Sequence, residues 1–193
     1  DDNKWISEQT IYNLILKNES YSLKYIMPII NSSLLQYYFS QKLVSNTWSF
    51  PQIKWVHLWQ LPIKNITLKD QQPFIEKADK MLVLNKQLQN KIDFTLHFLQ
   101  SKFSIAKVSN KLSSFRELDF SWFVKELNCK KLPIATEAEL MRYFEKEKAE
   151  IVALKEQINT LDKQIDDMVF DLYGLTEAER KVVLERIMIA FLD

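Results

Sequence analysis

Glycine is almost missing from this chain: Gly174 is the only one in 193 residues. Tight hairpin turns, phosphate-cradling loops and dinucleotide fingerprints depend on glycine, because only a residue without a Cβ takes their left-handed backbone or lets a phosphate approach closely. A hairpin-rich all-β fold and a nucleotide-binding loop are therefore set aside. Cysteine is as scarce. Cys129 has no second thiol for an internal disulfide, which is compatible with a reducing cytoplasm. There are two histidines, His57 and His97. With one cysteine they make no familiar zinc spacing, and no serine or cysteine nucleophile has an evident base. His57 lies among tryptophans and His97 between Leu96 and Phe98, so both are read as packing or surface residues. No stretch approaches the roughly 18 apolar residues of a membrane span, and no membrane partner is expected. The polar opening Asp1-Asp2-Asn3-Lys4 lacks a signal-peptide core. The glycosylation-like triplets at Asn18, Asn31 and Asn65 are accordingly read as chance. The first residue is not Met, and the chain is expected to be a fragment of something longer.

What is present is ordinary in bulk and uneven in detail. Apolar residues make up 47% and charged residues 26%, which argues for a folded core rather than disorder. Few glycines and five prolines suit long helices. The net charge of +1 hides a dipole along the sequence. Residues 1–63 are near neutral, residues 64–131 carry thirteen basic and seven acidic side chains, and residues 132–193 carry eight basic and fourteen acidic ones. A basic middle can meet phosphate; an acidic end cannot do so comfortably.

Residues 1–68 read as a small mixed α/β head. Thr10 to Leu16 is rich in strand formers. Ser22 to Phe39 has the 3–4 apolar spacing of a helix, with Ser20 or Ser22 as cap and Pro28 as a kink or first-turn residue. Trp48 to Ile63 alternates between Pro51 and Pro62 and is expected to be an edge strand or extended segment. From Pro73 to Phe103 apolar residues recur every three or four positions, predicting a long helix with Asp70 as a possible cap. Asp119 or Ser121 opens a short helix running to about Asn128. Thr136 and Glu139 form a capping box before Ile151, Leu154, Ile158, Leu161, Ile165, Met168 and Leu172, a coiled-coil seam. Its partner is expected to be the 73–103 helix, in an antiparallel hairpin with residues 104–135 at its tip or along its side. Gly174 caps the end of the second long helix, and Thr176 with Glu179 opens a terminal one through about Phe191. The expected class is α+β, predominantly α: a partial recognition region over 1–68 and a helical spacer over 69–193. The pair Asp166–Asp167 is read as a solvated face.

Three stretches carry a family resemblance. Tyr25 to Phe39, Leu61 to Ile63 followed by Gln71 to Ile75, and Ile165 to Glu179 with its Leu172-Tyr-Gly-Leu-Thr176 run resemble the C-terminal specificity region of TaqI-like DNA adenine methyltransferases. The same region ends type IIG restriction-modification enzymes. Ile63 stands where relatives often carry a second proline pair. The Asn/Asp-Pro-Pro-Tyr/Phe methylase loop is missing, as is a recognisable nuclease carboxylate–lysine cluster. The resemblance thus implies a non-catalytic part that binds double-stranded DNA. Methyltransferase or nuclease domains would lie upstream in the same polypeptide, using S-adenosylmethionine and possibly magnesium. No cofactor or metal is expected on this chain.

In that reading lysines and arginines neutralise phosphates while loop side chains read bases. The DNA-contact candidates are Lys42, Asn46, Gln52, Lys54, Lys64, Lys102, Lys107, Lys111, Arg116, Lys130 and Lys131. Base reading is assigned by position to the loop from Gln41 to Gln52. Trp48, Trp55 and Trp59 are read as core residues before base-stacking ones. The alternative is a coiled-coil scaffold or oligomerisation module without nucleic acid, which the helical seam alone would support. A standalone enzyme is the third and weakest reading.

Overall fold

The computed structural model describes residues 14–16, 19–42, 55–127 and 132–190. Every regular element among them is a helix, so among the described residues the expected mixed α/β architecture gives way to an all-α one. Residues 14–16 carry no regular structure, and the rest of the Thr10 to Leu16 run lies outside the described residues. Within the expected extended stretch, Trp55–Leu58 winds into one helical turn, α3. The physical reason was already in the composition. A strand needs a neighbour to satisfy its backbone donors and acceptors, and a chain with one glycine has little means of turning back on itself to supply one.

The remaining helices are α1 (Leu23–Asn31), α2 (Ser33–Lys42), α4 (Leu68–Phe103), α5 (Asn110–Ser113), α6 (Phe120–Glu126), α7 (Ile134–Tyr173) and α8 (Glu177–Ala190), with a 3-10 turn at Phe115–Glu117. The single helix expected over residues 22–39 is two. Ser22 caps α1, its Oγ accepting from Lys24 N–H. Pro28 is accommodated inside α1, and the break falls at Ser32, whose ψ of 153° is extended. Ser32 donates both its N–H and its hydroxyl to the Ile29 carbonyl, and its own carbonyl accepts from Gln36 N–H to begin α2.

The long helices start earlier than expected. Thr67, not Asp70, caps α4: its hydroxyl donates to the Asp70 carboxylate and accepts from Asp70 N–H, a reciprocal box. Pro73 sits inside this helix, close enough to its start that the carbonyl it deprives is in the first turn. In α7 the Pro133 carbonyl accepts from Glu137 N–H, which puts Thr136 inside the first turn instead of at the cap. Gly174 closes α7 at φ +72°, with Leu175 N–H reaching back to the Phe170 carbonyl. Thr176 and Glu179 form the expected capping box of α8.

The chain divides into two compact units: residues 1–79 with 162–193, and residues 80–161. In the first, α1 packs on α2 and α2 on α8. Tyr25, Ile26, Ile29, Leu35, Phe74, Ala78, Ile165, Val169, Phe170 and Val183 are its buried apolar residues. Tyr25 meets Phe74 edge-on at 5.4 Å. The second unit is built on rings. Phe123 and Phe144 are 4.5 Å apart, Phe115 and Phe120 flank them, and Leu99, Leu112, Leu140 and Ile151 complete the cluster. Each fully buried phenylalanine contributes about 1.5–3 kcal/mol, and a ring pair roughly 0.5–1.5 kcal/mol more. α4 and α7 contribute to both units and run antiparallel in the second, where Thr95 meets Glu147 and Phe98 meets Tyr143. In the first unit Lys77 Nζ donates to Gln164 Oε1 at 2.6 Å.

Candidate nucleic-acid interface

The helices of the first unit are set by three polar ties. Gln71 on α4 is fully buried. Its Oε1 accepts from Ser22 N–H at 2.9 Å, and its amide nitrogen donates to the carbonyls of Ser20 at 2.7 Å and Ile66 at 3.1 Å. One side chain thus holds both the segment entering α1 and the segment entering α4. Asp166 is the second tie. Its carboxylate accepts from Ser33 N–H at 2.8 Å and from the Ser33 hydroxyl at 2.6 Å. A negative group at the start of α2 satisfies orphan N–H donors and complements the helix dipole. The solvated-face reading of the Asp166–Asp167 pair therefore fails for Asp166, which is 9% exposed, and holds for the exposed Asp167.

The third tie involves a predicted phosphate contact. Lys64 Nζ donates to the Leu172 carbonyl at 2.5 Å, at the C-terminal end of α7 where carbonyls lack helical partners. The Lys64 carbonyl accepts from the Tyr25 hydroxyl at 2.6 Å, and Lys64 N–H donates to the Tyr173 hydroxyl, which itself donates to the Pro62 carbonyl. Burial pushes the phenols of Tyr25 and Tyr173 up from the ordinary tyrosine value, so both stay neutral donors.

The other described candidates lie in the second unit. Lys102 ends α4, and Lys107 follows in the connection; both are exposed. Lys111 on α5 is exposed, with Nζ 3.9 Å from the Glu126 carboxylate and 5.7 Å from the Trp122 ring centre. Arg116 is largely buried and pairs with Glu117 at 3.2 Å. Sequence reasoning missed two neighbours of this group. Trp122 is 49% exposed, and Lys125, one turn on, places its Nζ 4.3 Å from the same ring centre. The i, i+3 spacing on a short capped helix was the available signal. Asp119 caps that helix as expected: its carboxylate accepts from Trp122 N–H at 2.8 Å and from the Ser121 hydroxyl at 2.8 Å. Those bonds hold its pKa below the ordinary carboxylate value.

Asn46, Gln52, Lys54, Lys130 and Lys131 lie outside the described residues, and so do Cys129 and Trp48; Lys42 ends α2 and Trp55 begins α3, with their side chains also outside. Trp59, read as core, is 72% exposed. His57 is half-buried and meets Phe39 edge-on at 5.9 Å, while His97 is exposed on α4. Glu147 is buried between Lys91 Nζ and the Thr95 hydroxyl, both at 2.9 Å. That carboxylate has two partners from α4 and is structural. Among the described residues no three His, Cys, Asp or Glu gather as a metal site, and no helix is long and apolar enough to cross a membrane.

What the geometry defines among the described residues, then, is a helical protein whose sites are ties and cationic surface. Its residues 1–63 match the TaqI-like C-terminal specificity domain. Residues 67–169 match a family described as a domain of unknown function, DUF8810; this is more than half of the chain, and the chain belongs to that family. No curated protein and no solved structure matches it. Of the stretches that carried the resemblance, Tyr25 to Phe39 and Leu61 to Ile63 fall in the TaqI-like segment. Gln71 to Ile75 falls in the second family, and the Leu172-Tyr-Gly-Leu-Thr176 run falls in neither.

Proposed function

We propose that this chain is the target-recognition end of a DNA restriction-modification enzyme of the TaqI-like kind. It binds duplex DNA and positions methyltransferase or endonuclease domains that precede it in one cytoplasmic polypeptide. The observation that carries this reading is the match of residues 1–63 to the TaqI-like specificity domain. The basic stretch from residue 64 to 131 supports it, because phosphate neutralisation is the sequence-independent part of any DNA complex. S-adenosylmethionine, with magnesium if the parent also cleaves, belongs to the preceding domains, and this chain supplies register on the duplex.

The test is to express the whole reading frame in a methylation-free host and sequence the host DNA for modified adenine. Modification confined to one short motif, lost when residues 1–63 are deleted, is the expected result. Modification that ignores the deletion, or a whole protein with neither modification nor sequence-selective duplex binding, overturns the reading.

A further inference from the structure

We propose that the α5–α6 corner of the second unit is a sequence-independent nucleic-acid contact, in which Trp122 holds the ammonium groups of Lys111 and Lys125 ready for a phosphodiester backbone. This deepens the proposed function and rests on it. It places a contact in the DUF8810 part of the chain, outside the segment that matches the specificity domain.

Three observations carry it. The first is geometric. Trp122 stands half-exposed beside Phe123, which is buried in the aromatic core and anchors the helix. Two ammonium groups from different helices lie over the same indole, at 4.3 Å and 5.7 Å from its centre. Like charges repel, and two of them share one ring because its negative face attracts each. The result is a pair of cations gathered around a rigid apolar plate.

The second observation is that the nearby carboxylates are engaged elsewhere. Asp119 is spent on the cap of α6. Glu126 accepts from the Ser109 hydroxyl at 2.7 Å and reaches Lys111 only at 3.9 Å. Glu117 pairs with Arg116. Among the described residues Lys125 makes no ion pair within 4 Å; its ammonium lies over the indole and feels the Asp119 carboxylate only through space. The third is the local charge. The described residues 102–127 hold five basic side chains against three acidic ones, in a chain whose net charge is only +1. Lys102 and Lys107 are exposed and likewise make no ion pair among the described residues. An ammonium pair on a ring meets backbone phosphate and presents nothing that reads a base edge, so the contact is indifferent to sequence.

The experiment measures anisotropy of a labelled duplex of arbitrary sequence with the full chain over a salt series. Wild type is expected to bind at low salt and to weaken steeply as salt rises. Lys111→Gln with Lys125→Gln should lower the log–log salt slope by about 2, the loss of two phosphate contacts. Trp122→Leu should weaken binding by roughly threefold to tenfold, in line with the loss of a desolvated cation–π contact, while Trp122→Phe, which keeps a ring face, restores most of it. The three altered residues, Lys111, Trp122 and Lys125, are on the surface, and circular dichroism checks that each variant is folded. Wild-type binding with an unchanged slope in the double-lysine variant overturns the contact and leaves the proposed function standing. So does Trp122→Phe binding as poorly as Trp122→Leu. Polyglutamate competing as well as DNA assigns the corner to an acidic protein segment instead and also overturns it. A wild-type chain that binds no duplex at low salt overturns both proposals.

Discussion

The two units solve one packing problem by different chemistry. Both take a stretch of α4 and a stretch of α7 and cover them with short helices. In the second unit the cover is apolar: Phe115, Phe120, Phe123 and Phe144 meet around Leu99 and Leu112, and position follows from ring shape. In the first unit the covering helices are located by polar groups that come from far away in sequence. Gln71 holds the entrance of α1, Asp166 the start of α2, and Lys64 the end of α7. An aromatic cluster tolerates small shifts, since dispersion is not directional. A buried amide or carboxylate tolerates almost none, because each lost hydrogen bond leaves a desolvated partner. The unit that contains most of the described specificity-domain residues is thus the one with the more exactly specified geometry.

The largest expected effect probes the aromatic side. Phe144→Ala should cost about 3–5 kcal/mol, from lost transfer energy and the cavity left behind. Hydrogen exchange should show α6 and the first half of α7 losing protection while α1 and α2 keep theirs. Simultaneous loss in both units would show one cooperative body and break the contrast. Gln71→Leu probes the polar side. It preserves volume and removes three hydrogen bonds, and it should cost about 2–4 kcal/mol in urea unfolding, with exchange rising around Ser20 and Ser22. A leucine variant as stable as wild type would mean that shape alone suffices there.

A smaller effect concerns a buried ionic tie of the second unit, between Lys91 and Glu147. The carboxylates of Glu147 and Glu150 hold the Lys91 pKa above the ordinary lysine value. A folded-state pKa that is raised contributes stability fully present below the unfolded value and lost as pH rises through the folded one. The melting temperature of this unit should therefore fall on the alkaline side of the lysine range. Burial raises the Tyr143 phenol too, and this pushes in the same direction. Lys91→Met should flatten part of the alkaline fall, and Tyr143→Phe most of the remainder. A profile that neither variant changes would place the tie outside the stability of the fold. The smallest effect is a gain. Ser104 ends α4 at φ +53°, a left-handed position that costs a residue with a Cβ, and Ile105 N–H closes the turn on the Gln100 carbonyl. Ser104→Gly should add about 0.5–1 kcal/mol, read as a higher melting temperature.

Much of the helical part was legible. The 3–4 spacing located both long helices, Gly174 and Thr176 marked the last turn and the start of α8, and Asp119 marked α6. Helix starts were less so, because Thr67 and Pro133 lie before the apolar repeat begins and signal nothing by periodicity. The strands expected in the head came from local alternation and strand-forming residues. Trp55–Leu58 shows how weak that preference is without a partner strand. The candidate site was legible only as charge. Lys64 has the residue type of a phosphate contact, yet its ammonium lies on the Leu172 carbonyl. Trp122 with Lys125 escaped notice because a tryptophan in an aromatic-rich chain reads first as core.

By itself the sequence determined the two long helices and the terminal one, where charge accumulates and which family resemblance the chain carries, since periodicity, capping chemistry and composition act over a few neighbouring residues. Only the tertiary structure decided which polar residues are long-range ties, Gln71 and Asp166 buried and Lys64 exposed, and which other cations remain unpaired on the surface. Gln71, Asp166 and Lys64 find partners 39 to 133 residues away. A hydrogen bond over that separation depends on the folded path of the backbone, which no local pattern encodes.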